Sequence, residues 1–97
     1  MPTYISLINY TQQGIDNIKD APTRIAAAKE AFKAAGGELK GAYLTLGRYD
    51  LVVISELPSD EAAATMILTT AKQGNIRSET MRAFTEEEFT KIVGNVS

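Results

Sequence analysis

Two short runs of this chain carry no charge and are apolar on both of their alternating sides: Thr3 to Tyr10 (TYISLINY) and Leu51 to Ser55 (LVVIS). Both are rich in β-branched and aromatic residues, and the first ends at the polar stretch Thr11-Gln12-Gln13-Gly14, so both read as strands. Side chains alternate across a strand, which sets Ile5 and Leu7 against Tyr4 and Ile8, and Leu51 and Val53 against Val52 and Ile54. A strand that is apolar on both sides belongs in the middle of a sheet covered on both faces. With 97 residues the chain makes one domain, and its two main helical segments can cover one face only. The second face needs a cover from outside the chain, most simply the same sheet of a second copy. Such packing buries apolar surface at roughly 25 cal/mol per Å² and adds to a core that is thin at this chain length.

Around these two runs the other elements fall into place. Asp20 can cap a helix with Pro22 in its first turn; Ile25, Ala28, Phe32 and Ala35 share one side of it, Arg24, Lys29, Glu30 and Lys33 lie largely elsewhere, and Gly36-Gly37 ends it. Ile15 and Ile18 suggest a short extra turn of helix before Asp20. Glu38 to Leu46 and Leu51 to Glu56 read as strands joined through Gly47-Arg48-Tyr49-Asp50, a connection that suits an antiparallel hairpin. Pro58-Ser59-Asp60-Glu61 opens a second helix with Ala63, Met66, Ile67 and Thr70 turned inward, and Gly74 ends it. Ile76 to Ala83 is a fourth strand, and Thr85-Glu86-Glu87-Glu88, with Phe84 and Phe89 as a hydrophobic staple, starts a short C-terminal helix.

The order βαββαβ plus a terminal helix, in a single domain over residues 1–97, predicts an α+β, ferredoxin-like fold with a four-stranded antiparallel sheet. Right-handed crossovers place the first and third strands in its centre. The charges agree, because Glu38 and Lys40 fall on the second strand and Arg77, Glu79 and Arg82 on the fourth.

Composition removes much familiar chemistry. The chain has no His and no Cys, which excludes thiol and Ser-His-Asp nucleophiles, a disulfide framework, and the commonest zinc and haem ligands. Ten Lys and Arg against 12 Asp and Glu, scattered along the chain, give a net charge of −2 and no basic stripe, so no nucleic-acid partner is expected. The first basic residue is Lys19, and Leu51 to Ile54 is the longest strictly aliphatic run, so neither a signal peptide nor a membrane span is expected and the reading is cytoplasmic.

Three blocks, MPTYISLINYTQQGI, GAYLTLGRYDLVVI and NIRSETMRAFTEEEF, together resemble the GYD-domain family, named for its Gly, Tyr and Asp. Those letters map onto Gly47, Tyr49 and Asp50, with Arg48 between the first two, and the resemblance spans roughly residues 2–93. It implies a ferredoxin-like subunit of the dimeric α+β-barrel type. Relatives by fold include cofactor-free monooxygenases, isomerases, dehalogenase-like proteins and haem enzymes. The haem members mostly rely on a His ligand, which this chain lacks, so no cofactor is expected. Fold alone does not carry a function across.

Each candidate site residue has a functional and a structural role open to it. Tyr49 and Asp50 can bind a polar ligand or pass a proton and Arg48 can hold an anion; equally, Gly47 can supply an unusual backbone angle, Asp50 bond a nearby amide, and Tyr49 pack over the hairpin. Asn9 and Tyr10 close a central strand where ligands often meet a sheet, though Asn9 can also cap the turn that follows. Tyr43 stands between Gly41 and Thr45, where it can border a pocket or fill a dimer core. Arg82 with Thr80 can clamp a carboxylate or enolate, whereas Arg77 and Glu79 can pair with neighbouring strands. Glu86-Glu87-Glu88 follows from the helix dipole and the cap, so no metal site is expected there.

Two expectations follow. In the first, the protein is a homodimer through its sheet face that holds a small organic ligand between sheet and helices near Asn9, Tyr10, Tyr49, Asp50 and Arg82. Tyr43 and Arg48 are further contacts, and Tyr10, Tyr49 and Asp50 are the proton-handling candidates of a cofactor-independent oxygenase or isomerase. In the second, it is a non-catalytic dimeric assembly or stress-related module.

Overall fold

The computed structural model describes Met1 to Ser97. Its elements are β1 (Thr3–Tyr10), α1 (Gln12–Asp16), a single 3₁₀ turn (Ile18–Asp20), α2 (Ala21–Ala34), β2 (Glu38–Leu44), β3 (Leu51–Glu56), α3 (Asp60–Lys72), β4 (Ile76–Ala83) and α4 (Glu86–Gly94). The strands form one antiparallel sheet in the order β2-β3-β1-β4, so the two uncharged strands occupy its centre. Ile5 lies between Ile54 and Met81, and Leu7 between Val52 and Glu79.

Helices α2 and α3 share one face of the sheet. Tyr4, Leu57 and Ala63 pack there with Phe32 and Met66, and a second cluster joins Ile8, Leu51 and Val53. Ser59 caps α3 by accepting from the Ala62 amide at 3.2 Å. Beside it the Tyr4 hydroxyl donates to Asp60 at 2.6 Å, and burial together with that bond pushes its pKa up to about 12. On α4 both bonds of the capping box form, Glu88 N–H to the Thr85 hydroxyl and Thr85 N–H to the Glu88 carboxylate. The second of these holds the Glu88 pKa below its ordinary value.

The opposite face carries no helix. Tyr43 and Met81 are 57% and 43% exposed on it, beside half-buried Ile5, Leu7, Val52 and Ile54. Only nine of 97 residues are buried, and the molecule is 18 Å across its shortest axis. Its radius of gyration, 14.5 Å, exceeds the roughly 12.5 Å usual for a chain of this length. Both measures describe a sheet covered on one side, with α4 contributing no buried residue.

The boundaries differ from the sequence reading in three places. Thr11 does not continue a loop but caps α1, accepting from the Gly14 amide at 3.1 Å, so the turn is capped by Thr11 and not by Asn9. Strand β2 stops at Leu44, leaving Leu46 almost fully exposed, and a bulge between Leu39 and Gly41 turns Lys40 out to meet Glu38 at 3.0 Å. Helix α2 stops at Ala34, one residue before Ala35 joins the inward stripe, as Gly36 takes a φ of +85°.

Candidate functional site

Between the sheet and helices α2 and α3 lies a cavity of about 230 Å³. Ile8, Leu51 and Val53 form its floor, Ile25, Ala28 and Phe32 of α2 and Met66 and Ile67 of α3 its roof, and Ser6, Ser78 and Thr80 a hydroxyl-bearing wall. The small side chains Ala27, Ala28 and Ala31 leave this space open. Tyr10 borders it at one end. Arg24 borders it too, with Nη1 donating to the Asn17 carbonyl at 3.1 Å and Nη2 buried without any acceptor.

A second concavity, an open groove of about 610 Å³, lies where β1 ends. Leu7, Asn9, Tyr49, Arg77 and Glu79 line it, together with Tyr10, which thus touches both spaces. Here the Tyr49 hydroxyl donates to Glu79 at 2.8 Å, spanning β1 to reach β4. That bond, aided by partial loss of water, holds the phenol above its ordinary pKa, so Tyr49 is a neutral donor at pH 7.

The sequence candidates therefore separate. Asn9 and Tyr49 line the groove on the helix-free side, not the space between sheet and helices where the sequence reading gathers them: Asn9 shares the face of Leu7 on β1, opposite Arg77, and Tyr49, in the connection between β2 and β3, turns toward Glu79. Asp50 acts on the backbone. Its amide donates to the Ile8 carbonyl at 2.9 Å, its carbonyl accepts from Thr45 at 2.9 Å, and its carboxylate accepts the Tyr10 amide at 3.0 Å. Gly47 takes a φ of +115°, which an L side chain rarely adopts, so it supplies the unusual backbone angle expected of it. Arg48 stands exposed at the hairpin tip and borders neither space.

Tyr43 fills the space that its small neighbour leaves. A Cβ built on Gly41 would meet the Tyr43 ring at 2.9 Å, so the ring lies back over that glycine. Arg82 and Thr80 do not form a clamp. The Thr80 hydroxyl pairs with Ser6 at 2.8 Å, while the Arg82 guanidinium stacks 4.4 Å from the Phe84 ring centre and 5.9 Å from that of Tyr4 and donates to the Ala83 carbonyl. Arg24, set among polar residues by the helical-wheel reading, is the residue that reading missed. Its signal was present: Arg24, Ala28 and Phe32 are spaced i, i+4, i+8 and so share one side of α2.

No three His, Cys, Asp or Glu side chains come together as metal ligands, and no helix is long and apolar enough to cross a membrane.

A β2-β3-β1-β4 antiparallel sheet with both crossover helices on one face, and a small, mainly apolar space between the two layers, defines an α+β protein of ferredoxin-like fold. Within that class the chain belongs to the GYD domain family, which matches residues 4–93. Comparison with curated proteins gives no match.

Proposed function

We propose that this protein is a small-molecule-binding subunit that holds an organic ligand between its sheet and helices and works as a homodimer packed through the open sheet face. The cavity carries the first part. Packed layers leave few voids larger than a water molecule, so a partly open, mainly apolar space of about 230 Å³ between sheet and helices is room for a small guest. At roughly 30 Å³ per water-sized group, it holds about eight such groups. Tyr10 is the one aromatic proton donor among the candidates that borders the cavity, which supports giving it the role of steadying a developing oxyanion in a cofactor-independent isomerase or oxygenase reaction.

The dimer rests on the open face. Four strands about 4.8 Å apart and some 25 Å long present a footprint of about 500 Å² per copy, short of the roughly 800 Å² that stable partners bury. Further apolar surface for a partner is offered by α4 and its tail, where Phe89, Ile92, Val93 and Val96 are all exposed at i, i+3, i+4, i+7 spacing. Arg77 and Glu79 give the face both signs of charge, so a two-fold axis need not oppose like charges. A native mass spectrum of protein purified from its own host tests the reading. The expected result is a dimer carrying one small organic molecule per chain. A bare chain, combined with no shift of the Ile8, Ile25 and Ile67 methyl resonances by any small aromatic probe, would refute ligand binding.

A further inference from the structure

Arg24 is the one place where this chain leaves a buried polar side-chain atom unsatisfied, and that atom belongs to a residue bordering the cavity. Arg24 is half-buried and its Nη1 bond lies at the surface, but Nη2 is buried, and a buried N–H of a charged group left without an acceptor is costly. The two ion pairs of the chain, Lys40–Glu38 and Lys91–Glu87, do not involve Arg24. Its Nη1 is tethered to the Asn17 carbonyl, which fixes the orientation of the planar group and leaves Nη2 as the spare donor. The cavity it borders is mainly apolar, with Ile25, Ala28 and Phe32 beside it on α2, and none of the polar residues that share the lining, Gln73 and Asn75 among them, bonds to Nη2.

We infer that Arg24 is the anchor for an anionic head group, so that the ligand of this cavity is a compact, otherwise apolar carboxylate. The inference rests on the cavity being a ligand site and adds the class of ligand. The head group supplies both the missing acceptor and the missing charge, and the apolar remainder lies against Ile8, Val53 and Met66. A neutral amide satisfies Nη2 but not the charge, and a cation satisfies neither.

Three isosteric probes separate these cases: benzoate, benzamide and benzamidine, titrated at pH 7 against the full-length protein with the isoleucine methyl resonances and calorimetry as readouts. The expected order is benzoate at least tenfold tighter than benzamide, with benzamidine not binding. Arg24→Met should weaken benzoate at least tenfold and leave benzamide unchanged, and Arg24→Lys should recover part of the loss. Equal affinity for benzoate and benzamide in the unaltered protein would overturn the assignment of Arg24 while leaving the cavity a ligand site. A benzoate preference that persists in Arg24→Met would do the same. Failure of all three probes to move any cavity methyl would overturn both. The comparison within the unaltered protein decides the matter even if the Arg24 variants do not fold.

Discussion

Replacing Asp50 by alanine tests whether the family's signature aspartate is a structural clasp. The Asp50 carbonyl is occupied by the Thr45 amide, so the next amide of β1, that of Tyr10, finds no backbone acceptor on β3; the carboxylate stands in at 3.0 Å and extends the ladder beyond its last pair, Ile8 with Leu51. A hydrogen bond to a charged group contributes about 1.5–3 kcal/mol, and Tyr10 and Asp50 are both half-buried, which places the loss in the lower part of that range, about 1.5–2 kcal/mol. With a urea m-value of about 1 kcal/mol per molar, the denaturation midpoint should fall by about 1.5–2 M, and the melting temperature by roughly 10 °C. Asp50→Asn keeps an acceptor oxygen without the charge, and charge-assisted bonds are roughly twice as strong, so it should lose about half as much. Benzoate affinity should be unchanged in Asp50→Asn, because Asp50 borders neither concavity. Urea denaturation by circular dichroism, with all proteins at one concentration, measures the series. A midpoint within 0.3 M of the parent for Asp50→Ala on this roughly 1 kcal/mol per molar scale would refute the clasp, as would an Asn variant no more stable than the Ala variant.

Three further outcomes follow from the same geometry. Ile54→Glu places a carboxylate in the middle of the helix-free face and should convert a species near 21 kDa, twice the 10.5 kDa chain, to one near 10.5 kDa in sedimentation velocity; a parent that already sediments as a monomer refutes the dimer. Tyr4 has its native pKa raised to about 12 from 10, so the stability it supplies is fully present below pH 10 and lost as pH rises through 12; Tyr4→Phe should remove that part of the alkaline decline, and identical pH profiles for the two proteins would contradict it. Gly14→Ala would set a Cβ 2.1 Å from the Asn75 carbonyl oxygen and should cost about 3 kcal/mol or more in a denaturation experiment, whereas Gly47→Ala, with nothing within 4 Å, should cost only the backbone strain of about 1–2 kcal/mol.

The fold was legible wherever a pattern is local. The β-branched and aromatic residues of Thr3 to Tyr10 marked a strand, the absence of charge there and in Leu51 to Ser55 marked the centre of the sheet, and Thr85 with Glu88 marked a helix start that both capping bonds confirm. What sequence reasoning missed depends on contacts made across the chain. The short turn of helix expected around Ile15 and Ile18 is present, but α1 begins earlier, at Gln12 in a stretch of weak helical character, where the Thr11 hydroxyl donates to the Gly74 carbonyl and Gln13 reaches the Gln73 carbonyl and Asn75, some sixty residues away. The candidate site scattered for the same reason. Tyr49 and Asp50 are sequence neighbours whose side chains serve different partners, Glu79 on β4 and the Tyr10 amide on β1, and no spacing rule in the sequence encodes that divergence.

The sheet order has a consequence for how the chain is made. Of the two central strands, β1 is the first of the four to be synthesised, while its neighbours, β3 and β4, are the third and the fourth. Thr3 pairs with Ala83, so at about 5–20 residues per second the N-terminal strand waits some 4–16 s on the ribosome before its second edge can be satisfied. During that interval an uncharged, β-prone octapeptide is available to any other strand. A strand paired on both sides when folded is thus unpaired on one of them while the rest of the sheet is made, and chaperone dependence should track Thr3 to Tyr10 more closely than any property of the cavity.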